Sequence, residues 1–156
     1  MPDYADPMTD GDAPTSGALH HVELRVGDLD ASRVGWEWLF GALGYREFQS
    51  WPQGVSWMLG STYIVLEQAP RDEGHDRRGA GLSHLAFHAG TRSDVDALWA
   101  AAPLHGWSHL YADQHPWAGG EPAEGSSGHY AAFLENSERF KIELVATTPT
   151  PDAPAK

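Results

Sequence analysis

The chain has 156 residues, 41% of them hydrophobic and 21% charged, which fits one compact domain with a sizeable core and excludes a fibre or a wholly disordered chain. Twenty-two acidic residues against ten Lys and Arg give a formal net charge of −12 with no basic cluster, which excludes a nucleic-acid backbone as partner. Cysteine is absent, so disulfides, thiolate nucleophiles and Cys-based zinc sites fall together, and any metal takes nitrogen and oxygen ligands.

No apolar run approaches the roughly 20 residues that span a bilayer, and Met1 to Asp6 has neither a basic n-region nor an apolar h-region; no membrane partner and a cytoplasmic location are expected. Residues 1–17 and 148–156 are rich in Asp, Pro, Thr and Ala and read as solvated tails. The first folded segment, Leu19 to Val26, alternates: His21, Glu23 and Arg25 take one face of a strand, and Val22, Leu24 and Val26 the other. Asp28 or Asp30 can cap a following helix, whose stripe is Trp36, Leu39, Phe40 and Leu43, and Gly44 stops it. Three strands follow, Arg46 to Trp51, Val55 to Gly60 and Thr62 to Gln68, separated by turn residues.

A charged, glycine-bearing linker, 70–81, leads into a second round of the same grammar. In the strand Ser83 to Ala89, His84, Ala86 and His88 share a face. Ser93 with Asp96 offers a capping-box-like start for a helix striped by Val95, Leu98, Trp99 and Ala102, ended by Gly106. Strands are expected over Trp107 to Ala112, His129 to Glu135 and Phe140 to Ala146, with a Gly/Pro-rich, lid-like insertion between Asp113 and Gly128. The expected fold is α+β: two βαβββ modules, 18–69 and 82–147, forming a cupped mixed sheet.

Each module places a histidine near the start of its first strand and a glutamate near the end of its fourth, pairing His21 with Glu67 and His84 with Glu143. If the two sheets face one another these four side chains converge, and imidazole plus carboxylate donors suit one divalent transition ion, Zn, Ni, Co, Mn or Fe(II), with room left for substrate. Glu143 in an otherwise apolar strand is costly unless paired or ligated. Glu23, Arg25 and His88 share the chemical face by parity. Tyr63 lies in phase with Glu67, His115 and His129 flank the lid-like loop, and Trp57 and Trp117 are candidates for an apolar substrate wall.

His21-Val22-Glu23-Leu24-Arg25-Val26-Gly27-Asp28-Leu29 and Lys141-Ile142-Glu143-Leu144-Val145 resemble the opening and closing strands of glyoxalase I, within the vicinal oxygen chelate superfamily; the resemblance covers roughly residues 18 to 147. It implies the same four metal ligands and a small-molecule substrate that chelates the ion through neighbouring oxygens. It also implies a lyase or isomerase reaction in which Glu143 or Glu67 moves a proton, with Glu23 as a local competitor, and a homodimer as the common assembly. Arg25, Tyr63, His88, Trp57, Trp117, His115 and His129 are then the substrate-binding set. The turn Glu135-Asn136-Ser137-Glu138-Arg139 replaces the family's Asp-Pro-Asp-Gly. The alternatives are a non-catalytic, bleomycin-type antibiotic binder, or a three-ligand fosfomycin-type transferase or extradiol dioxygenase; Phe133 stands where the dioxygenases carry a tyrosine.

Overall fold

The computed structural model describes residues 15–147, so the expected tails lie almost wholly outside the described residues. Strand β1 (His21–Val26) runs into helix α1 (Leu29–Ala42), followed by β2 (Arg46–Trp51), β3 (Gly54–Leu59) and β4 (Thr62–Gln68). After the linker come β5 (Leu85–His88), α2 (Arg92–Ala101), a 3₁₀ turn (Ala102–His105), β6 (Trp107–Leu110), β7 (Ala131–Asn136) and β8 (Lys141–Val145). Among the described residues no helix is long and apolar enough to cross a membrane.

The local chemistry explains the elements. In β1 the alternation holds, with Leu24 and Val26 buried and His21, Glu23 and Arg25 exposed. Asp28 caps α1 by accepting from the Ala31 N–H at 3.0 Å, and the chain leaves the helix through Gly44 at φ +87°, a left-handed position that favours glycine. The cap of the second helix is Thr91, two residues before the expected Ser93. Thr91 accepts from the Asp94 N–H at 3.2 Å while the Asp94 carboxylate accepts from the Thr91 N–H at 2.8 Å, a reciprocal box that outcompetes Ser93 with Asp96. Strand β5 is shorter than expected, since its ladder to β8 runs only from Leu85↔Ile142 to His88↔Val145, and this leaves His84 just ahead of it.

Each module makes its own four-stranded mixed sheet, in the orders β1-β4-β3-β2 and β5-β8-β7-β6, with the first strand parallel to the fourth in both. The duplication read from the sequence is therefore present in the topology. One hydrophobic cluster joins the modules: Leu24, Val26, Trp57, Ile64 and Leu66 from the first sheet meet Leu134, Ile142 and Leu144 from the second, around Trp36, Leu39 and Phe40 of α1. Trp36 packs edge-on to Trp107 with centroids 4.9 Å apart, and the Trp107 indole N–H donates to the Gly35 carbonyl at 3.0 Å. The Glu138 carboxylate accepts from the Gly27 N–H at 2.7 Å and from the Ser32 hydroxyl, tying the β7–β8 turn to the β1–α1 junction. The linker is docked too: Arg77 pairs with Glu135 at 2.7 Å and His75 stacks on Phe140 at 4.3 Å.

This arrangement fixes where the chemical faces look. Both sheets give their apolar faces to one shared core, so the opposite faces, bearing His21, Glu23, Arg25 and Glu67 on the first sheet and Lys141 and Glu143 on the second, turn away from it.

Candidate functional site

On the first sheet His21 heads β1 opposite Tyr63, and the two rings stack with centroids 4.8 Å apart and planes 4° off parallel. The His21 Nδ1 lies 2.9 Å from the Nδ1 of His20, so one of these nitrogens carries the shared hydrogen. Further along the same face Glu67 stands opposite Arg25, with Arg25 Nε 3.8 Å from Glu67 Oε2. A hydrogen bond from Glu23 pushes the Glu67 carboxyl above the usual carboxylate range, reinforced by desolvation and by the Glu23 charge and opposed by Arg25. A cavity of about 470 Å³ opens beside this group, lined by Glu23, Arg25, Asp72, His75 and Glu138.

On the second sheet Glu143 is 7% exposed, one of two buried polar residues in the described chain, the other being Ser56. A buried carboxylate needs partners, and this one has two imidazoles. His84 Nε2 lies 3.0 Å from Oε2, and His129 Nε2 donates to Oε1. An ionised carboxylate only accepts, so both Nε2 atoms carry the hydrogen, and the His84 Nδ1 faces the Ser83 hydroxyl at 3.3 Å. His129, expected to reach substrate from a lid, is instead a partner of Glu143, placed there because the loop ends just before β7, whose Phe133 is the ladder partner of Glu143.

Register decides which positions of the two modules correspond. Glu23 pairs with Val65 in the first sheet, and Ala86 pairs with Glu143 in the second. His21 precedes Glu23 by the same two residues by which His84 precedes Ala86, so the histidines correspond and Val65, not Glu67, is the counterpart of Glu143. Glu67 belongs to the right face but sits one pair further along, against Arg25. The four-ligand equivalence expected from the sequence therefore fails at Glu67.

Within one chain the four expected ligands do not meet. His21 and Glu67 belong to one sheet and His84 and Glu143 to the other, and among the described residues no group of three or more His, Asp or Glu side chains is placed to hold a metal ion. The donor chemistry of His84 and Glu143 suits a metal, yet two donors do not complete a site.

The remaining expected residues divide. His88 is exposed at the end of β5, beside a cavity of about 390 Å³ that also touches Asp94. Trp57 is 2% exposed and packs on Phe40 at 5.0 Å, so the substrate-wall role is corrected to core: β3 turns it toward α1. Trp117 packs edge-on to Tyr130 at 5.2 Å, under the Arg92 guanidinium, and His115 stacks on Trp99 at 3.9 Å. Burial holds the His115 imidazole below its ordinary range, with Asp96 opposing. Loop 111–130 is thus docked on α2 by its aromatic side chains. Sequence reasoning passes over Tyr111 and Lys141, although the strand parity that singles out Glu143 also places Lys141 on its face.

A family model described as the Glyoxalase/Bleomycin resistance protein/Dioxygenase superfamily matches residues 20–133. The uncharacterised protein YqjT of Bacillus subtilis (strain 168) is 44% identical over 131 residues, which are 82% of this chain and 98% of that protein. Among solved structures, a candidate glyoxalase from Bacillus halodurans is 43% identical with a TM-score of 0.77, covering 85% of this chain and 97% of that one. The fold alone is shared with the fosfomycin resistance protein FosX of Listeria monocytogenes, solved as a mutant complexed with Mn(II) and 1S,2S-dihydroxypropylphosphonic acid (16% identity, TM-score 0.61, covering 85% and 92%). A lactoylglutathione lyase from Agrobacterium tumefaciens shares it as well (17% identity, TM-score 0.55, covering 85% and 96%). With its duplicated βαβββ sheets and a matching family model over most of its length, the chain belongs to the glyoxalase/bleomycin resistance/dioxygenase, or vicinal oxygen chelate, superfamily.

Proposed function

We propose that this protein is a divalent-metal-dependent lyase or isomerase, acting on a small substrate with two neighbouring oxygens, and that each site joins the first module of one chain to the second module of its partner in a homodimer. The observation that carries this reading is the buried Glu143 carboxylate beside His84, on a face whose register counterpart in the other module begins with His21. His21, His84 and Glu143 would hold the ion, a donor set that suits Zn, Ni, Co, Mn or Fe(II). When bound, such an ion supplies Lewis-acid polarisation of a substrate oxygen.

The chain's own residues supply the proton chemistry. A hydrogen bond from Glu23 raises the Glu67 carboxyl above its ordinary range, which suits Glu67 to take a proton from the substrate and return it. Arg25 beside Glu67 limits the build-up of negative charge when both ionise. His129 holds the far oxygen of Glu143 and so orients the near one toward His84.

A second reading, the three-ligand fosfomycin-type or dioxygenase site, is favoured by Val65 at the position of the fourth ligand. Phe133 at the place of the dioxygenase tyrosine counts against the dioxygenase form. Elemental analysis of protein purified without a histidine tag tests the main reading: one transition ion per chain is expected, and His84→Ala or Glu143→Ala removes it. A metal-free wild-type protein that binds an aromatic antibiotic would overturn the enzyme reading in favour of a drug binder.

A further inference from the structure

Lys141 is the only lysine among the described residues of a chain whose formal net charge is −12. It lies on the Glu143 face of β8, two residues earlier, which puts the two about 7 Å apart along the strand. Its ladder partner Glu135 is committed elsewhere, to Arg77 at 2.7 Å and Arg139 at 3.6 Å. Glu143 is committed to its two histidines. Lys141 has no carboxylate partner among the described residues. Its ammonium stands 5.0 Å from the ring centroids of Tyr111 and Phe133 and donates one hydrogen bond, at 3.2 Å, to the Tyr111 hydroxyl.

Tyr111 is held there at some cost. It follows β6 directly with φ +54°, a left-handed conformation that bulky side chains rarely adopt, and its ring meets Phe133 edge-on at 5.5 Å. Part of the donor capacity of this pair is unused. An ammonium has three N–H groups, and one is spent on Tyr111. The phenol oxygen accepts that bond, so its own O–H is left to donate. Two ammonium hydrogens and one phenol hydrogen, flanked by two aromatic walls, fit a carboxylate and give it a two-pronged grip. With Glu135 paired to Arg77 and Arg139 and Glu143 held by its histidines, the one free charge of Lys141 matches a monoanion better than a dianionic phosphate, which draws on several cationic donors.

We infer that Lys141 and Tyr111 form the subsite for a carboxylate on the substrate, about 7 Å from the Glu143 position; the inference rests on the proposed function and adds an anionic arm to the chelating substrate. Succinate is the probe. In metal-free wild-type protein, acetylation of Lys141 by a water-soluble acetyl ester is followed by mass spectrometry, with Lys156 as internal control. Succinate slows acetylation at Lys141 severalfold and saturably, neutral succinamide does not, and Tyr111→Phe weakens the protection. Equal responses of the two lysines, or equal protection by succinamide, overturn the subsite.

A second arm uses zinc-loaded protein and calorimetry. Succinic monohydroxamate binds about tenfold tighter than acetohydroxamate, as one charge-assisted contact provides. Lys141→Met erases the difference while leaving acetohydroxamate affinity unchanged, and Lys141→Arg restores part of it. Failure of both hydroxamates to bind counts against the metal-centred reading; the metal-free footprint still decides the subsite.

Discussion

Glu23 and Glu67 sit on neighbouring parallel strands, and a hydrogen bond from Glu23, with desolvation and the Glu23 charge, pushes the Glu67 carboxyl above its ordinary range. Glu67 titrates above its unfolded value, so its contribution to stability is fully present below the unfolded pKa and is lost as pH rises through the folded one. At neutral pH the two charges repel, with Arg25 at 3.8 Å as partial compensation. Glu67→Gln keeps the hydrogen bond and removes one charge. Its melting temperature at pH 7 is expected to lie about 1–2 °C above wild type, the two converging near pH 4, as read by calorimetry across that range. Parallel profiles for the two proteins would refute the raised Glu67 carboxyl. Glu143 contrasts with this pair in its surroundings: the same side-chain type is held by two imidazoles in a nearly dry position.

At the scale of elements, helix α2 gives a sharp comparison between two capping choices. Thr91 and Asp94 exchange three hydrogen bonds at the helix start, and those bonds hold the Asp94 carboxyl below its ordinary range. Thr91→Ala should cost about 1 kcal/mol in urea unfolding, whereas Ser93→Ala, one step inside the helix, should be near neutral; the reverse order would restore the cap expected from sequence. Period-2 and period-3.6 patterns make both modules legible in the amino-acid sequence, because the apolar side of β1, α1 and β8 must face a core. Such patterns carry no information on pairing register, which depends on which residues of two distant strands meet. Parity alone puts Glu67 on the right face, and only the ladder reveals that Val65 occupies the counterpart of Glu143. The role of His129 is hidden for a related reason: no periodicity governs a loop, and its imidazole is placed by the docking of residues 111–130 through Trp99, His115, Trp117 and Tyr130.

At the scale of the whole molecule, the proposed shared site requires two outward-looking faces to meet. Rotation of the modules within a chain would have to open the shared core at Trp36 and Trp107 and release Glu138 from Gly27 and Ser32, exposing large aromatic surfaces to water. In the proposed homodimer a second copy of the chain would meet the same need without that cost, since a two-fold axis would bring the first module of each chain to the second module of the other and make two equal sites. This geometry has a quantitative signature. In the proposed homodimer, His21→Ala and Glu143→Ala would each damage both sites. In a mixed dimer one site collects both substitutions and the other has none. Random re-assortment of the two variants makes half of the dimers mixed, so about a quarter of all sites are intact, and metal content and turnover recover to about that fraction of wild type. A site contained in one chain predicts no recovery at any mixing ratio. Co-expression of the two variants under different affinity tags, followed by isolation of the doubly tagged dimer, sharpens the test: that species binds one ion per dimer if the site is shared and none if it is not.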